Sequence, residues 1–271
     1  MELQQIENHW KNWAKEFKTD LRATTKSGTA KELEINALVQ AISQYKPSNN
    51  DFSILEVGCG NGHNCFALQH AFTDANITGI DFIKEMVEHA QELNVHFKTK
   101  IPFYQGNILE LAQQKLLKAQ YDFVFTVRCV INLNSDDLQH QGIEQLITKV
   151  RSGGYLVMIE NQMQTHEKQN HLRELTGLKS RDAADFNHFM DETSLLTKAK
   201  SLGLKHEKSY NFSSLHDILL YTLVPMINGG KVDYEHPLVQ AAADLINAGG
   251  EELMDSFGDF GQNKLFIFKK S

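Results

Sequence analysis

The stretch ILEVGCGNG occupies residues 54–62, and Asp81 follows nineteen residues after its last glycine. Ser53 to Val57 is a short, largely apolar run that reads as a buried β-strand, and Gly58, Gly60 and Gly62 set a tight turn directly behind it. The pattern repeats along the chain. Runs bounded by turn residues occur at Asn76 to Ile80, Ile101 to Gln105, Tyr121 to Val127 and Tyr155 to Glu160, with two more at Leu204 to Phe212 and Lys264 to Lys269. Helical patterns lie between them: Cys65, Leu68 and Phe72 fall at i, i+3, i+7, and Met86, Ala90 and Leu93 at i, i+4, i+7. Strands apolar on both faces, alternating with helices that each show one apolar stripe, indicate a parallel sheet covered on two sides.

The 271 residues, 41% hydrophobic with four prolines, suit one elaborated α/β domain that buries a real core. Within it, 1–50 reads as an N-terminal helical arm, 51–160 as the ligand-binding half, and 161–203 and 213–262 as insertions. The second insertion is too long for a plain loop, so it must hold structure, and Leu238, Ala242, Leu245 and Ile246 mark a helix in it. Open α/β sheets bind ligands beyond the carboxyl ends of their strands, and these segments are assigned to the covering of that face.

A net charge of −7 with scattered lysines and arginines disfavours nucleic acid as a partner. The longest apolar runs fall short of the roughly 18 residues that cross a bilayer, and the polar start lacks a signal-peptide core, so the expected location is the cytoplasm, without membrane association. Cys59, Cys65 and Cys129 form no zinc-like pair and read as small buried residues, and the twelve histidines show no ligand spacing, so no metal is expected.

Glycines without a Cβ let a ligand lie directly on the backbone, and Asp81, at the end of the second strand, can accept both hydroxyls of a ribose. The plainer alternative is a bare chain turn with Asp81 capping the helix that begins at Ile83. A nicotinamide enzyme would share strand, turn and carboxylate, but its GxGxxG fingerprint finds His63 where the third glycine belongs. The nucleotide loop GxxxxGK followed by Ser or Thr is also absent.

ExGxGxG from Glu56 to Gly62, with Asp81, resembles the class I S-adenosylmethionine-dependent methyltransferases of small-molecule type, and the resemblance runs from about Ser53 to Glu160. It implies a Rossmann-like, doubly wound, seven-stranded sheet, mostly parallel with an antiparallel last strand, plus helical cap insertions. It implies S-adenosylmethionine as cofactor and S-adenosylhomocysteine as product. Glu56, Gly58, Gly60, Asn61 and Gly62 would border the methionine part, Asp81 the ribose, and Phe82 and Met86 the adenine. The acidic residue that usually follows the third strand is replaced by Asn107 and Ile108, so Asn107 would offer an amide oxygen. At the end of the fourth strand Thr126 and Arg128 would flank the cofactor. The Asp/Asn-Pro-Pro-aromatic motif of many amino-group methyltransferases is missing there.

Methyl transfer from a sulfonium is an in-line displacement aided chiefly by alignment, with a base needed for acceptors that hold a proton at neutral pH. No catalytic dyad is displayed. Arg128 reads either as the partner of an acidic substrate through its planar fork or as a structural residue. Asn132 reads as substrate contact or helix cap, and Asn161 as acceptor contact or turn. Trp10, Trp13 and Phe17 form a helical stripe for packing, with a lid that places Trp13 at the substrate as the other reading. His63 and His216 are candidate bases. The expectation is methyl transfer to an oxygen, ahead of a nitrogen, of a small metabolite. An NAD(P)-dependent oxidoreductase and a non-catalytic S-adenosylmethionine-binding module are the competing readings.

Overall fold

Ser53–Val57 forms β1, buried at every position, because strands pair on both sides of it and helices cover both of its faces. The computed structural model describes residues 1–48 and 51–271; Asn49 and Asn50, the end of the expected arm, lie outside them. The other strands are β2 (Asn76–Asp81), β3 (Phe103–Gln105), β4 (Tyr121–Val127), β5 (Val150–Asn161), β6 (Leu204–Tyr210) and β7 (Asn263–Lys270). They make one sheet in the order β3-β2-β1-β4-β5-β7-β6. β1 to β5 pair in parallel, and β7 inserts antiparallel between β5 and β6, as expected of the closing KLFIFKK run.

The arm holds α1 (Leu3–Phe17) and α2 (Gly28–Tyr45), joined through a short turn at Leu21–Ala23. Behind β1 and β2 follow α3 (His63–Ala71) and α4 (Lys84–Phe97), and α5 (Asp136–Lys149) leads into β5. The first insertion contains α6 (Met163–Leu175) and α7 (Glu192–Ser201). The second contains α8 (Ser214–Ile218), a π-helical turn at Leu219–Leu223, α9 (Val224–Ile227), α10 (Pro237–Gly249) and α11 (Glu251–Met254). Among the described residues no helix is long and apolar enough to cross a membrane.

Both predicted stripes are buried, Cys65, Leu68 and Phe72 on α3 and Met86, Ala90 and Leu93 on α4. Four expectations shift. β5 begins at Val150 rather than Tyr155, pairing Val150 with Tyr121. β3 begins at Phe103 rather than Ile101, because Pro102 has no N–H for the ladder and contributes its carbonyl alone, to Gly79 N at 2.9 Å. β6 stops at Tyr210, because the Asn211 amide turns out of the ladder to Asp255 Oδ1 at 2.8 Å. On α10 the buried stripe is Val239, Ala242, Ala243 and Ile246, leaving Leu238 and Leu245 about half exposed. PLVQAAADLINAG is apolar around most of its circumference, so spacing alone does not fix its phase.

Candidate active site

Beyond the carboxyl ends of β1, β2, β4 and β5 lies a cavity of about 650 Å3, within the range of small-molecule sites. Its floor is the turn after β1. Gly58, Gly60 and Gly62 have φ of 78°, 53° and 86°, a left-handed backbone that glycine adopts without strain. A Cβ at Gly58 would overlap the Cys129 side chain, and one at Gly60 would sit 2.5 Å from Thr24 Cγ2. Gly58 and Gly60 line the cavity; Gly62 turns away, with Phe103 and Phe66 packed against its Cα.

Asp81 lies at the rim of the turn. Its Oδ2 accepts from Gly60 N at 2.7 Å and its Oδ1 from Ile83 N at 2.8 Å, so it clamps the β1 turn to the start of α4. Burial pushes its pKa up to about 6, against the pull of those two amides. α4 begins at Lys84 with Ile83 as its N-cap residue, so Asp81 bonds the amide just ahead of the helix, and the same carboxylate lines the cavity. Phe82, 45% exposed, and Met86 line the wall beside it, together with Asn107 and Ile108. The Asn107 Oδ1 accepts from Leu109 N at 2.9 Å, so one of its two acceptor positions is already used.

Besides Gly62, four expected residues stand behind the wall rather than on it. Glu56 is fully buried, accepting from Asn64 Nδ2 at 2.7 Å and Cys65 Sγ at 3.0 Å, and burial pushes its pKa up to about 7. Asn61 Nδ2 donates to the carbonyls of Lys18 at 3.0 Å and Asp20 at 2.9 Å, tying the arm to the turn. Thr126 donates to Glu160 Oε1 at 2.7 Å. His216 is fully buried between Asp217 Oδ1 at 2.7 Å and Thr29 Oγ1 at 2.9 Å, outside the cavity lining.

At the end of β4 the chain bends through Arg128, whose φ of 51° is unusual for a residue with a side chain. Glu160 holds this bend: it accepts from Thr126 Oγ1 and from the backbone N–H groups of Cys129, Val130 and Ile131 at 3.1–3.3 Å. Of the two readings of Arg128 the salt-bridged one is observed. Its Nε lies 2.8 Å from Glu34 Oε1 and its Nη2 3.3 Å from Glu34 Oε2. Glu34 also meets Lys31 Nζ at 3.3 Å and accepts from Asn263 Nδ2 at 2.9 Å. Burial opposes the Glu34 charge, but Arg128 and Lys31 hold its pKa below the usual carboxylate value. Lys31, Glu34, Arg128 and Asn263 all line the cavity.

The roof joins the arm to the first insertion. His9 stacks on Phe186 with ring centroids 4.1 Å apart, and Trp10 meets the same ring edge-on. Trp10 Nε1 donates to Asn132 Oδ1 at 2.9 Å, while Asn132 Nδ2 donates to Arg128 O at 2.8 Å. Asn132 thus braces the bend and holds the arm at once. Trp10 and Trp13 line the cavity, so the stripe serves as a cover as well as packing; Trp13 Nε1 donates to Arg22 O at 2.7 Å. Asn161 is buried at the end of β5 and lines the cavity, as does His63, whose pKa is lowered by burial. Cys129 is half-buried on the wall, unlike the buried Cys59 and Cys65, and all three thiols are free. Among the described residues no group of histidine, cysteine and carboxylate side chains is arranged to hold a metal.

A family model described as a methyltransferase domain matches residues 48–209, more than half of the chain. The chain belongs to the class I S-adenosylmethionine-dependent methyltransferases. Ribosomal RNA small subunit methyltransferase G from Streptococcus pneumoniae serotype 19F is 30% identical over 89 residues, 31% of this chain and 36% of that protein. Malonyl-[acyl-carrier protein] O-methyltransferase from Halalkalibacterium halodurans is also 30% identical over 89 residues, 32% of each chain. This methyltransferase spans about a third of the length of the curated relatives it matches. Magnesium protoporphyrin IX methyltransferase from Synechocystis PCC 6803, solved with bound SAH, has the same fold at 12% identity, with a TM-score of 0.56 over 89% of this chain and 83% of that one. S-adenosylmethionine is the cofactor of this family.

Lys31, Glu34, Asn64, Asn263, Arg181 and Tyr221 surround or line the site without having been singled out in the sequence. A signal existed for the first two: a lysine and a glutamate three apart on a helix whose apolar stripe, Leu33, Ala37, Leu38, Ala41 and Ile42, borders them. Nothing in the sequence marked the others.

Proposed function

We propose that the chain transfers a methyl group from S-adenosylmethionine to an oxygen, ahead of a nitrogen, of a small metabolite held in this cavity. The observation that carries the reading is the roof. His9 and Trp10 of α1 close against Phe186 of the first insertion above the glycine turn, so the acceptor is a molecule that fits beneath them. A large, rigid acceptor such as folded ribosomal RNA needs an open approach to its target base. The acidic net charge of −7 also gives no field to attract it.

In this reading the backbone at Gly58 and Gly60 borders the methionine part, since a side chain at either position would fill the approach. Asp81 accepts the ribose hydroxyls, and Phe82, Met86, Asn107 and Ile108 enclose the adenine. S-adenosylmethionine supplies an electrophilic methyl group. The protein's share is to hold the acceptor in line and to keep water out, which Trp10, Trp13 and Phe186 do by covering the site. Glu56, Asn61 and Thr126 act one layer back: Asn61 through the arm, Glu56 through Asn64 and the start of α3, and Thr126 through Glu160. The protein works in the cytoplasm on a dissolved metabolite.

Titration calorimetry with S-adenosylmethionine tests the donor site, and no heat of binding at millimolar cofactor refutes it. A metabolite pool incubated with labelled methyl donor then identifies the acceptor, and labelling confined to RNA or protein refutes the small-molecule reading.

A further inference from the structure

Arg181 lines the cavity and, among the described residues, forms no ion pair. Arg181 lies in the irregular segment between α6 and α7, yet its backbone is fixed from both sides. Its N–H donates to Asn170 Oδ1 at 2.8 Å, and its carbonyl accepts from Asn170 Nδ2 at 2.9 Å and meets His166 Nε2 at 2.9 Å. The guanidinium stacks on Tyr221, 3.5 Å from the ring centroid. Tyr221 stands in the π-helical turn of the second insertion, so two insertions converge to place one side chain.

The polar partners of this guanidinium are neutral. Its Nη1 reaches Gln169 Oε1 at 3.2 Å and its Nη2 reaches Gln262 Oε1 at 3.3 Å, both longer than the ~2.7–2.9 Å of strong charge-assisted bonds. Among the described residues no carboxylate forms an ion pair with it. Of the other cations that line the cavity, Lys31 and Arg128 share Glu34, and Lys26 stands over the Trp13 ring. The wall carboxylate of the second insertion, Asp217, is engaged by His216 Nδ1, Ser213 Oγ and Gln262 N. The field of Arg181 reaches its neighbours: after burial, it is the next cause lowering the pKa of both His166 and Arg173. Burial and this field both disfavour a second positive charge on His166.

Resting on the small-molecule reading of this same site, we propose that Arg181, seated on Tyr221, binds the carboxylate of the methyl acceptor, which is accordingly a small monocarboxylic acid. The planar fork of a guanidinium matches the two oxygens of one carboxylate. A carboxylate saturated by guanidinium donors is stabilised as the anion and is a poor nucleophile, so the methyl group goes to a second group on the molecule. That group attacks the methyl carbon as the carbon–sulfur bond breaks, S-adenosylhomocysteine leaves with the bonding pair, and the acceptor loses one proton to solvent. The product keeps its carboxylate charge.

The test uses the full chain, labelled S-adenosylmethionine and a pool of small metabolites that includes hydroxy acids, amino acids and phosphate esters, with products resolved by anion exchange. The expected label is in a singly charged, carboxylate-bearing product. Arg181→Gln should then lower kcat/KM for that acceptor by about 30-fold, mainly through KM, with S-adenosylhomocysteine affinity within twofold of wild type. Arg181→Lys should fall between the two, keeping charge without the planar stack. Label in a neutral, cationic or phosphate-bearing product, no labelled product from the pool, or an Arg181→Gln variant of unchanged KM each overturns the proposal. Failure of the wild-type chain to bind S-adenosylhomocysteine at all would instead overturn the donor-site reading beneath it.

Discussion

Replacing Asp81 with Asn tests the donor cradle at the residue on which its chemistry depends most. Each carboxylate oxygen accepts one backbone N–H, Gly60 at 2.7 Å and Ile83 at 2.8 Å, and retains a second acceptor position. Two ribose hydroxyls in those positions make hydrogen bonds to a charged group, worth about 1.5–3 kcal/mol each. Asparagine removes the charge and one acceptor, so the expected loss is about 2–3 kcal/mol, or roughly 30- to 150-fold in affinity. The same carboxyl fixes the pH dependence. Its pKa in the free protein is raised by burial to about 6, and hydroxyl donors favour the ionised form, so the pKa is lower in the complex. Below pH 6 a proton must leave before the ligand binds; affinity is flat above about pH 7 and declines, by up to tenfold per unit, as the pH falls through 6. Calorimetric titration with S-adenosylhomocysteine from pH 5 to pH 8 reads both effects, with a melting curve to confirm that the clamp on Gly60 and Ile83 survives. Affinity of Asp81→Asn within twofold of wild type, or an equal pH slope in both proteins, refutes the reasoning.

Three further outcomes follow from the same geometry. Gly60→Val places a Cβ 2.5 Å from Thr24 Cγ2 on a backbone at φ 53°; strain of about 1–2 kcal/mol should lower the melting temperature by a few degrees while cofactor affinity drops at least tenfold, and a variant that binds normally removes Gly60 from the contact surface. Glu34→Gln leaves Arg128 and Lys31 buried without their shared anion, which should cost about 3–5 kcal/mol and lower the melting temperature by roughly 6–20 °C; a shift under 2 °C would mean that the network contributes little. Trp10→Phe keeps the ring but loses the bond to Asn132, so amides of α1 should exchange roughly 2- to 10-fold faster with those of β1 unchanged, and equal protection in α1 would show that the bond does not hold the arm.

Local pattern was enough for the donor half. β1 and β4 begin and end at the residues that composition marks, because each is a short apolar run closed by a turn, and the stripes of α3 and α4 are buried, Met86 against Ala14 and Ala23 of the arm. The acceptor half was hidden for a physical reason. Lys31 and Glu34, three apart on a helix, look like a solvated pair, and their burial is set by Arg128, 94 residues from Glu34, at the end of a strand. Arg128 itself admitted two readings until the position of α2 was known. Arg181 lies in a stretch without periodicity, and its setting is supplied by Asn170, His166 and Tyr221 from elements that sequence spacing does not bring together. The largely apolar composition of α10 left its phase undetermined by as little as one residue, enough to move Leu238 and Leu245 to solvent.

The arm and the glycine turn act as one device. Asn61 Nδ2 holds the carbonyls of Lys18 and Asp20, His63 Nε2 meets Thr19 O at 3.1 Å, and the Thr24 methyl fills the space above Gly60. The polar side chains of this segment thus fix the cover, while its backbone, at Gly58 and Gly60, is left to face the cavity. From the other side Asn132 links Trp10 of the same arm to the Arg128 carbonyl, and Glu160 fixes the bend on which Arg128 sits. The arm therefore touches β1's turn through the segment that follows α1 and β4's bend through α1 itself, and ties the two ends of the cavity together. That coupling gives a physical reason for polar residues at Asn61 and Asn132: Asn61 gives both amide protons to carbonyls of the arm, while Asn132 braces the Arg128 carbonyl with its amide and holds Trp10 with its oxygen.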